Sequence, residues 1–204
     1  MGVLSSSISL TRYRIAGEVT DELQGSILQQ LMSHKFLEID QNSDEKSSGW
    51  VCFDDLLDTW WKTAPPQKGT YLAFALRLDT RRIQPAVMKK HYRLALDEAL
   101  KEQKARGHKF ITRDHKKQIR DRVRQTLLSK TLPVPAVFDV AWNLDGHVVY
   151  LGTAAPKIRE LFEDLFLKSF ELHLEQQTPY FLARRLVQTI DRSRLDQLEA
   201  AVLA

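Results

Sequence analysis

Residues 137–151 read VFDVAWNLDGHVVYL. Two apolar runs, Val137 to Leu144 and His147 to Leu151, flank the dipeptide Asp145-Gly146. That dipeptide suits a two-residue β-hairpin turn, whose central residues need positive φ. Pro133 and Pro135 break whatever helix precedes the hairpin, and Pro156 opens a helix after it. Ile158, Leu161, Phe162, Leu165, Phe166 and Phe170 make that helix apolar nearly all round, which is the pattern of a buried helix. A dimer interface is the functional alternative for the same residues.

Working outward, Leu10 to Val19 alternates, with Tyr13, Ile15 and Val19 on one side and Arg12, Arg14 and Glu18 on the other, as in a half-buried strand. Thr20 or Asp21 can cap a following helix carrying Leu23, Ile27 and Leu31 on one face. Gln41 to Ser48 reads as a polar loop and Trp50 to Phe53 as a short strand. Pro65, Pro66, Lys68 and Gly69 form a turn-rich connector. Tyr71 to Leu78 is a second strong strand, with Leu72, Phe74, Leu76 and Leu78 on one face and Ala73, Ala75 and Arg77 on the other. Pro85 begins a helix on which Met88, Tyr92, Ala95, Leu96 and Ala99 share a face, and Gly107 ends it. Thr112 caps the next helix, with Asp114 in its first turn and Ile119, Val123 and Leu127 on its apolar side. Ser193-x-x-Asp196 resembles a capping box before a last helix through Leu198 and Val202. Strands and helices are grouped rather than strictly alternating. The expected class is therefore α+β, with antiparallel or mixed sheets and packed helices. The expected parts are an N-terminal α+β part (1–84), a basic helical hairpin (85–132), and a β-hairpin with C-terminal helices (133–204), interwoven in one globular unit.

Composition narrows the chemistry. With 204 residues, 43% of them apolar, the chain can bury a real core. The single cysteine, Cys52, excludes an intrachain disulfide and a multi-cysteine zinc site, and reads as a small buried apolar residue in a reducing cytoplasm. No apolar run is long enough to span a membrane, so no membrane partner is expected. The first ten residues have no cationic stretch leading into an apolar one, so no signal peptide is expected there. No glycine-rich phosphate-binding pattern and no nucleophile elbow occurs. The six histidines never pair at helical spacing and never adjoin the cysteine, so neither a metal nor another cofactor has local sequence support. Asp54, Asp55 and Asp58 cluster beside Trp60 and Trp61. Carboxylates hold the ions of two-metal nucleases, but an acidic loop or helix face is the ordinary occurrence. Glu102-x-Lys104 echoes the end of some nuclease motifs, yet it falls on a helix rather than a strand.

Charge is where the chain departs from an ordinary domain. Residues 89–130 hold 14 of its 30 Lys and Arg but 5 of its 26 Asp and Glu, a local balance of 14 − 5 = +9 against +4 for the whole chain. Arg113, Lys117, Arg120 and Arg124 recur at helical spacing and form one cationic stripe. Lys89, Lys90, Arg93, Lys101, Lys104, Arg106, Lys109 and Lys116 extend the basic region. Such a region suits a polyanion, most often nucleic acid, although charge alone leaves a solvated helical face open. Gln103, Gln118 and Gln125 are the few side chains suited to base readout, and Tyr92 and Phe110 the nearest aromatics for stacking. The expectation is sequence-independent, salt-sensitive contact with duplex backbone. The alternatives are a metal-dependent nuclease and a basic module that docks on an acidic protein.

Several segments, in order, resemble the bacterial recombination-associated RdgC family. They are the strand Leu10-Thr-Arg-Tyr-Arg-Ile15, the helix ending near Phe36, Gly49-Trp50-Val51, and the strand Leu72 to Leu78 running into Arg81-Arg82-Ile83-Gln84-Pro85. Gly107-His108-Lys109, Leu127-Leu128 and Ala141-Trp142-Asn143-Leu144-Asp145-Gly146 continue the series, so the likeness spans about residues 8 to 181. It implies an RdgC-like fold and a non-catalytic, nucleoid-associated DNA-binding protein of the bacterial cytoplasm. It further implies a homodimer, ring-like with a basic hole, that limits access of the RecA recombinase to DNA. The chain resembles a short form of that family, lacking its usual C-terminal portion. After Leu127-Leu128 the family has a proline and an aromatic, where this chain has Ser129-Lys130-Thr131-Leu132-Pro133.

Overall fold

The computed structural model describes residues 5–42, 44–105, 110–186, 194, 195 and 197. The fold is α+β. In chain order its elements are β1 (Thr11–Ala16), α1 (Asp21–Ser33), β2 (Lys46–Cys52), β3 (Gln67–Lys68), β4 (Tyr71–Thr80), α2 (Pro85–Ala105), α3 (Arg113–Lys130), β5 (Val134–Asn143), β6 (Val148–Leu151), α4 (Pro156–Phe170), β7 (His173–Gln176) and α5 (Pro179–Leu186). The strands form one seven-stranded sheet in the order β2-β4-β5-β6-β1-β7, with β3 paired to β4. The chain divides into two compact units. Unit 1 comprises Met1–Lys35, Trp50–Leu76 and Val137–Ala204; unit 2 comprises Phe36–Gly49 and Arg77–Ala136.

Unit 1 is organised around the hairpin of β5 and β6. The register pairs Val140 with Leu151 and Trp142 with Val149. All four of these side chains are fully buried. The turn falls where expected, but its conformation differs. His147 rather than Gly146 takes the left-handed region, at φ 49°. Asn143 Oδ1 accepts the Gly146 N–H at 2.9 Å, and the ladder stops at Asn143 and Val148. The first-ranked turn for this dipeptide is thus replaced by one that an asparagine side chain stabilises from outside the turn.

Helix α4 lies over this core. Pro156 stands in its first turn, where its missing N–H costs nothing, and Glu171 ends it in the left-handed conformation at φ 57°. Phe162, Phe166 and Phe170, one per turn, are all buried. Phe166 sits 5.3 Å from Trp142 and 4.8 Å from Phe170, centroid to centroid, and Trp50 meets Phe74 edge-on at 5.1 Å. The Trp50 indole N–H donates to Ser169 Oγ at 2.7 Å. These phenylalanines are core, so a dimer face centred on Phe166 is corrected: on that helix the exposed large apolar side chain is Leu167.

Elsewhere in unit 1, Thr20 caps α1 by accepting the Leu23 N–H, and Ile27 and Leu31 are its buried face. β1 pairs antiparallel with β6 and with β7. β7 and α5 lie outside the sequence expectation. A four-residue strand carries too few alternations to register, and Pro179 opens a helix described over eight residues. The capping box proposed at Ser193 and Asp196, and the helix after it, lie outside the described residues. Cys52 is buried and free.

Three strands exceed their expected bounds: β2, β4, which reaches Thr80 rather than Leu78, and β5, which begins at Val134 rather than Val137. β2 begins at Lys46, four residues before Trp50, and ends before Phe53. Its Lys46-Ser-Ser-Gly opening has no apolar alternation, yet Ser47 Oγ donates to the Leu37 carbonyl at 2.6 Å and holds the segment. In β4 the burial runs through both faces, from Leu72 to Arg77 and again at Asp79, with Leu78 half-buried. The polar end of that strand belongs to unit 2. There Arg77 and Asp79, both buried, pair at 2.8 Å, and Glu38 meets the same guanidinium at 3.0 Å while the Phe36 ring stacks on it. The hydrogen bonds that Arg77 donates to Asp79 raise its pKa against the opposing effect of burial, and Glu38 adds to it. Arg81, also buried, donates to the carbonyls of Asn42 and, at 2.6 Å, Ile39, which fastens the connection ahead of β2.

Candidate nucleic-acid interface

Unit 2 presents α2 and α3 packed against each other. Thr112 caps α3 by accepting the His115 N–H, and Asp114 and Lys130 sit at the ends the helix dipole favours. Ile119, Leu127 and Leu128 are buried and Val123 is half-buried. α2 is different. Its 21 residues include none that is buried. Met88, Tyr92, Ala95, Leu96 and Ala99 share a face as the spacing requires, but each is only partly covered. The expected end of α2 at Gly107 lies outside the described residues, and α2 is described to Ala105.

The predicted contact residues fall on two surfaces. Arg113, Lys117, Arg120 and Arg124 share one side of α3, flanking its buried face, and span about 16 Å at 1.5 Å per residue. Lys116 adjoins the start of that stripe. On α2, Lys89 lies on the same side as Tyr92 and Arg120, and all three line one depression. Lys90, Arg93, Lys101 and Lys104 point the other way at helical spacing, opposite Ala95 and Ala99. Every one of these ten side chains is exposed. Arg106 and Lys109 lie outside the described residues. The basic region is therefore a stripe with a neighbouring lysine, and a separate outer face of α2.

The stripe borders a cleft of about 290 Å³, which Arg81, Arg82, Arg120, Arg124 and Glu45 line. Arg81 and Arg82 precede the 89–130 window, so the charge count did not reach them. The readable signal is the Arg81-Arg82 pair three residues ahead of Pro85, where the chain turns into α2. Glu45 is the acid that meets the stripe: its Oε1 lies 2.6 Å from Arg124 Nη2, with both side chains about half exposed. Among the described residues, no other cation of the predicted set has a carboxylate within ion-pair distance. Phe110, just before α3, is 83% exposed, whereas Tyr92 is partly covered. On the other flank of α3, Arg122 shares a groove with Glu98 and Glu102.

The acidic cluster has a local occupation. Asp54 pairs with Lys68 at 2.7 Å. Asp55 Oδ1 accepts the Leu57 N–H at 2.9 Å, and Asp58 accepts those of Trp60 and Thr63 at 2.8 and 2.7 Å. Partial burial pushes the Asp58 pKa up, but the N–H groups of Thr63 and Trp60 outweigh it and hold the pKa below its ordinary value. These carboxylates shape a loop. Among the described residues, no three His, Cys, Asp or Glu side chains are grouped to hold a metal ion. No described helix is long and apolar enough to cross a membrane.

No protein-family model and no curated protein matches this chain.

Proposed function

We propose that this protein binds DNA without sequence preference, favouring the duplex, and that α3 carries the contact. The observation that supports this reading is a stripe of four exposed arginine and lysine side chains on one helix, of which, among the described residues, Arg124 alone pairs with a carboxylate. Cations held this way exchange condensed counterions for phosphates, which gives affinity without base readout. The few amide side chains near the stripe, Gln118 and Gln125, fit that absence of specificity. Together with the RdgC-like order of segments, the reading places the protein as a non-catalytic modulator of bacterial recombination or replication, nucleoid-associated and cytoplasmic. It acts there as a homodimer that can encircle the duplex.

Fluorescence anisotropy with unrelated single- and double-stranded oligonucleotides at two ionic strengths tests it. Duplex binding should weaken steeply with salt. Replacing Arg113, Lys117, Arg120 and Arg124 by Gln should weaken it alike on every sequence and flatten the logarithmic salt slope by about 3 to 4. Duplex binding that ignores salt, or that survives the fourfold replacement unchanged, defeats the reading. Sedimentation velocity of the free protein tests the dimer.

A further inference from the structure

We propose that the arginine cleft of unit 2 is a seat for one phosphate group, and that the Glu45 carboxylate stands in for that phosphate in the free protein. The inference rests on the DNA-binding reading and adds to it a defined subsite and a built-in competitor. Four guanidinium groups, Arg81, Arg82, Arg120 and Arg124, line the cleft against the single carboxylate of Glu45, a local balance of 4 − 1 = +3. Their sources differ. Arg120 and Arg124 stand one turn apart on α3, and Arg81 and Arg82 come from the segment that leads into α2.

Arg81 forms the floor. It is 6% exposed, and among the described residues it donates to the backbone carbonyls of Ile39, Asn42 and Asp44. Carbonyl oxygens orient a guanidinium but do not cancel its charge. Among the described residues, its Nε has no hydrogen-bond partner. A buried cation so arranged projects a positive potential that water screens poorly. Among the described residues, Arg82 and Arg120 have no carboxylate within ion-pair distance. The cleft, about 290 Å³, is several times the roughly 30 Å³ of a liquid water, room enough for a phosphate and its solvent.

Glu45 is suited to occupy the seat and to leave it. A carboxylate presents oxygen acceptors to the guanidinium fork as a phosphodiester does, with the same single charge. Its pair with Arg124 is about half exposed on both sides, and exposed pairs contribute little. A phosphate that meets Arg82, Arg120 and Arg124 together gains more contacts than Glu45 has with Arg124 alone. Glu45 therefore lowers affinity for any polyanion that fails to fill the whole cleft.

The experiment compares Glu45→Gln, Arg82→Gln and Asp145→Asn, the last an exposed turn carboxylate of unit 1 that changes net charge as Glu45→Gln does. Duplex binding is followed by anisotropy at two ionic strengths, and inorganic pyrophosphate binding by calorimetry. Glu45→Gln should tighten duplex binding about two- to fivefold, the size of an exposed ion pair, and Asp145→Asn should not. Arg82→Gln should weaken it and reduce the salt slope by about one. If the wild type binds duplex with salt sensitivity while Glu45→Gln merely matches Asp145→Asn, or Arg82→Gln matches the wild type, the seat is overturned and the DNA reading stands. If no duplex binds but Glu45→Gln gains affinity for pyrophosphate, the seat stands and the DNA reading falls.

Discussion

Unit 1 is held together by aromatic rings packed edge-on and tilted against one another, and unit 2 by charge pairs and a helical hairpin that buries little. In unit 1, Trp50, Phe74, Trp142, Phe162, Phe166 and Phe170 contact one another in a single apolar cluster. In unit 2, the end of β4 and the residue after it bury Arg77, Asp79 and Arg81, and α2 has no buried residue. The difference teaches where each unit can tolerate change. A ring core loses both contacts and volume when a side chain shrinks. A charged exterior can lose cations at small cost to folding, so its composition is free to answer to a partner.

The contrast is most exposed to a core truncation. Phe166→Ala should destabilise the protein by about 3 to 5 kcal/mol, because burial is complete and α4 cannot collapse onto the gap. Urea denaturation measures it, and a loss below 1 kcal/mol would show that the rings are not the main support. Next is Asp79→Ala, which removes the buried carboxylate that pairs with Arg77 and leaves the exposed one of Glu38. A loss of about 3 kcal/mol is expected; a neutral result would mean that unit 2 does not depend on its buried pair. Thr112→Ala should cost about 1 kcal/mol by uncapping α3, seen as lower helicity before the main transition. The fourfold replacement of the α3 stripe should shift stability by less than about 0.5 kcal/mol per residue, since each side chain is exposed, while changing polyanion affinity far more.

The smallest effect concerns Asp58. Its folded pKa lies below the ordinary value of 3.8. The hydrogen bonds to Trp60 and Thr63 therefore contribute fully above that value and are lost as pH falls through the lower folded one. An acid titration of the Thr63 amide resonance should give a midpoint below 3.8; a midpoint at or above it would contradict the geometry.

These particulars explain what could be read from residues alone. Phe162, Phe166 and Phe170 recur at one turn, and Tyr13 and Ile15 alternate, so periodicity found the buried faces of α4 and β1. Thr20 and Thr112 were legible as caps because their chemistry is local. Local reading had no handle on Lys46-Ser-Ser-Gly as strand, on β7, or on His147 as the left-handed residue beside a glycine. Those depend on partners distant in sequence. The stripe on α3 was legible by spacing, yet its division from the outer face of α2 was not, since a charge count has no direction. Glu45 was invisible for the same reason: 79 residues separate it from Arg124.

All four tryptophans, Trp50, Trp60, Trp61 and Trp142, belong to unit 1. Intrinsic emission therefore watches one unit, while the circular dichroism signal near 222 nm draws also on α2 and α3, helices of 21 and 18 residues in the other. Melting curves that coincide by both readouts would reveal a single cooperative transition; curves that separate would date the loss of the helical hairpin independently of the indoles.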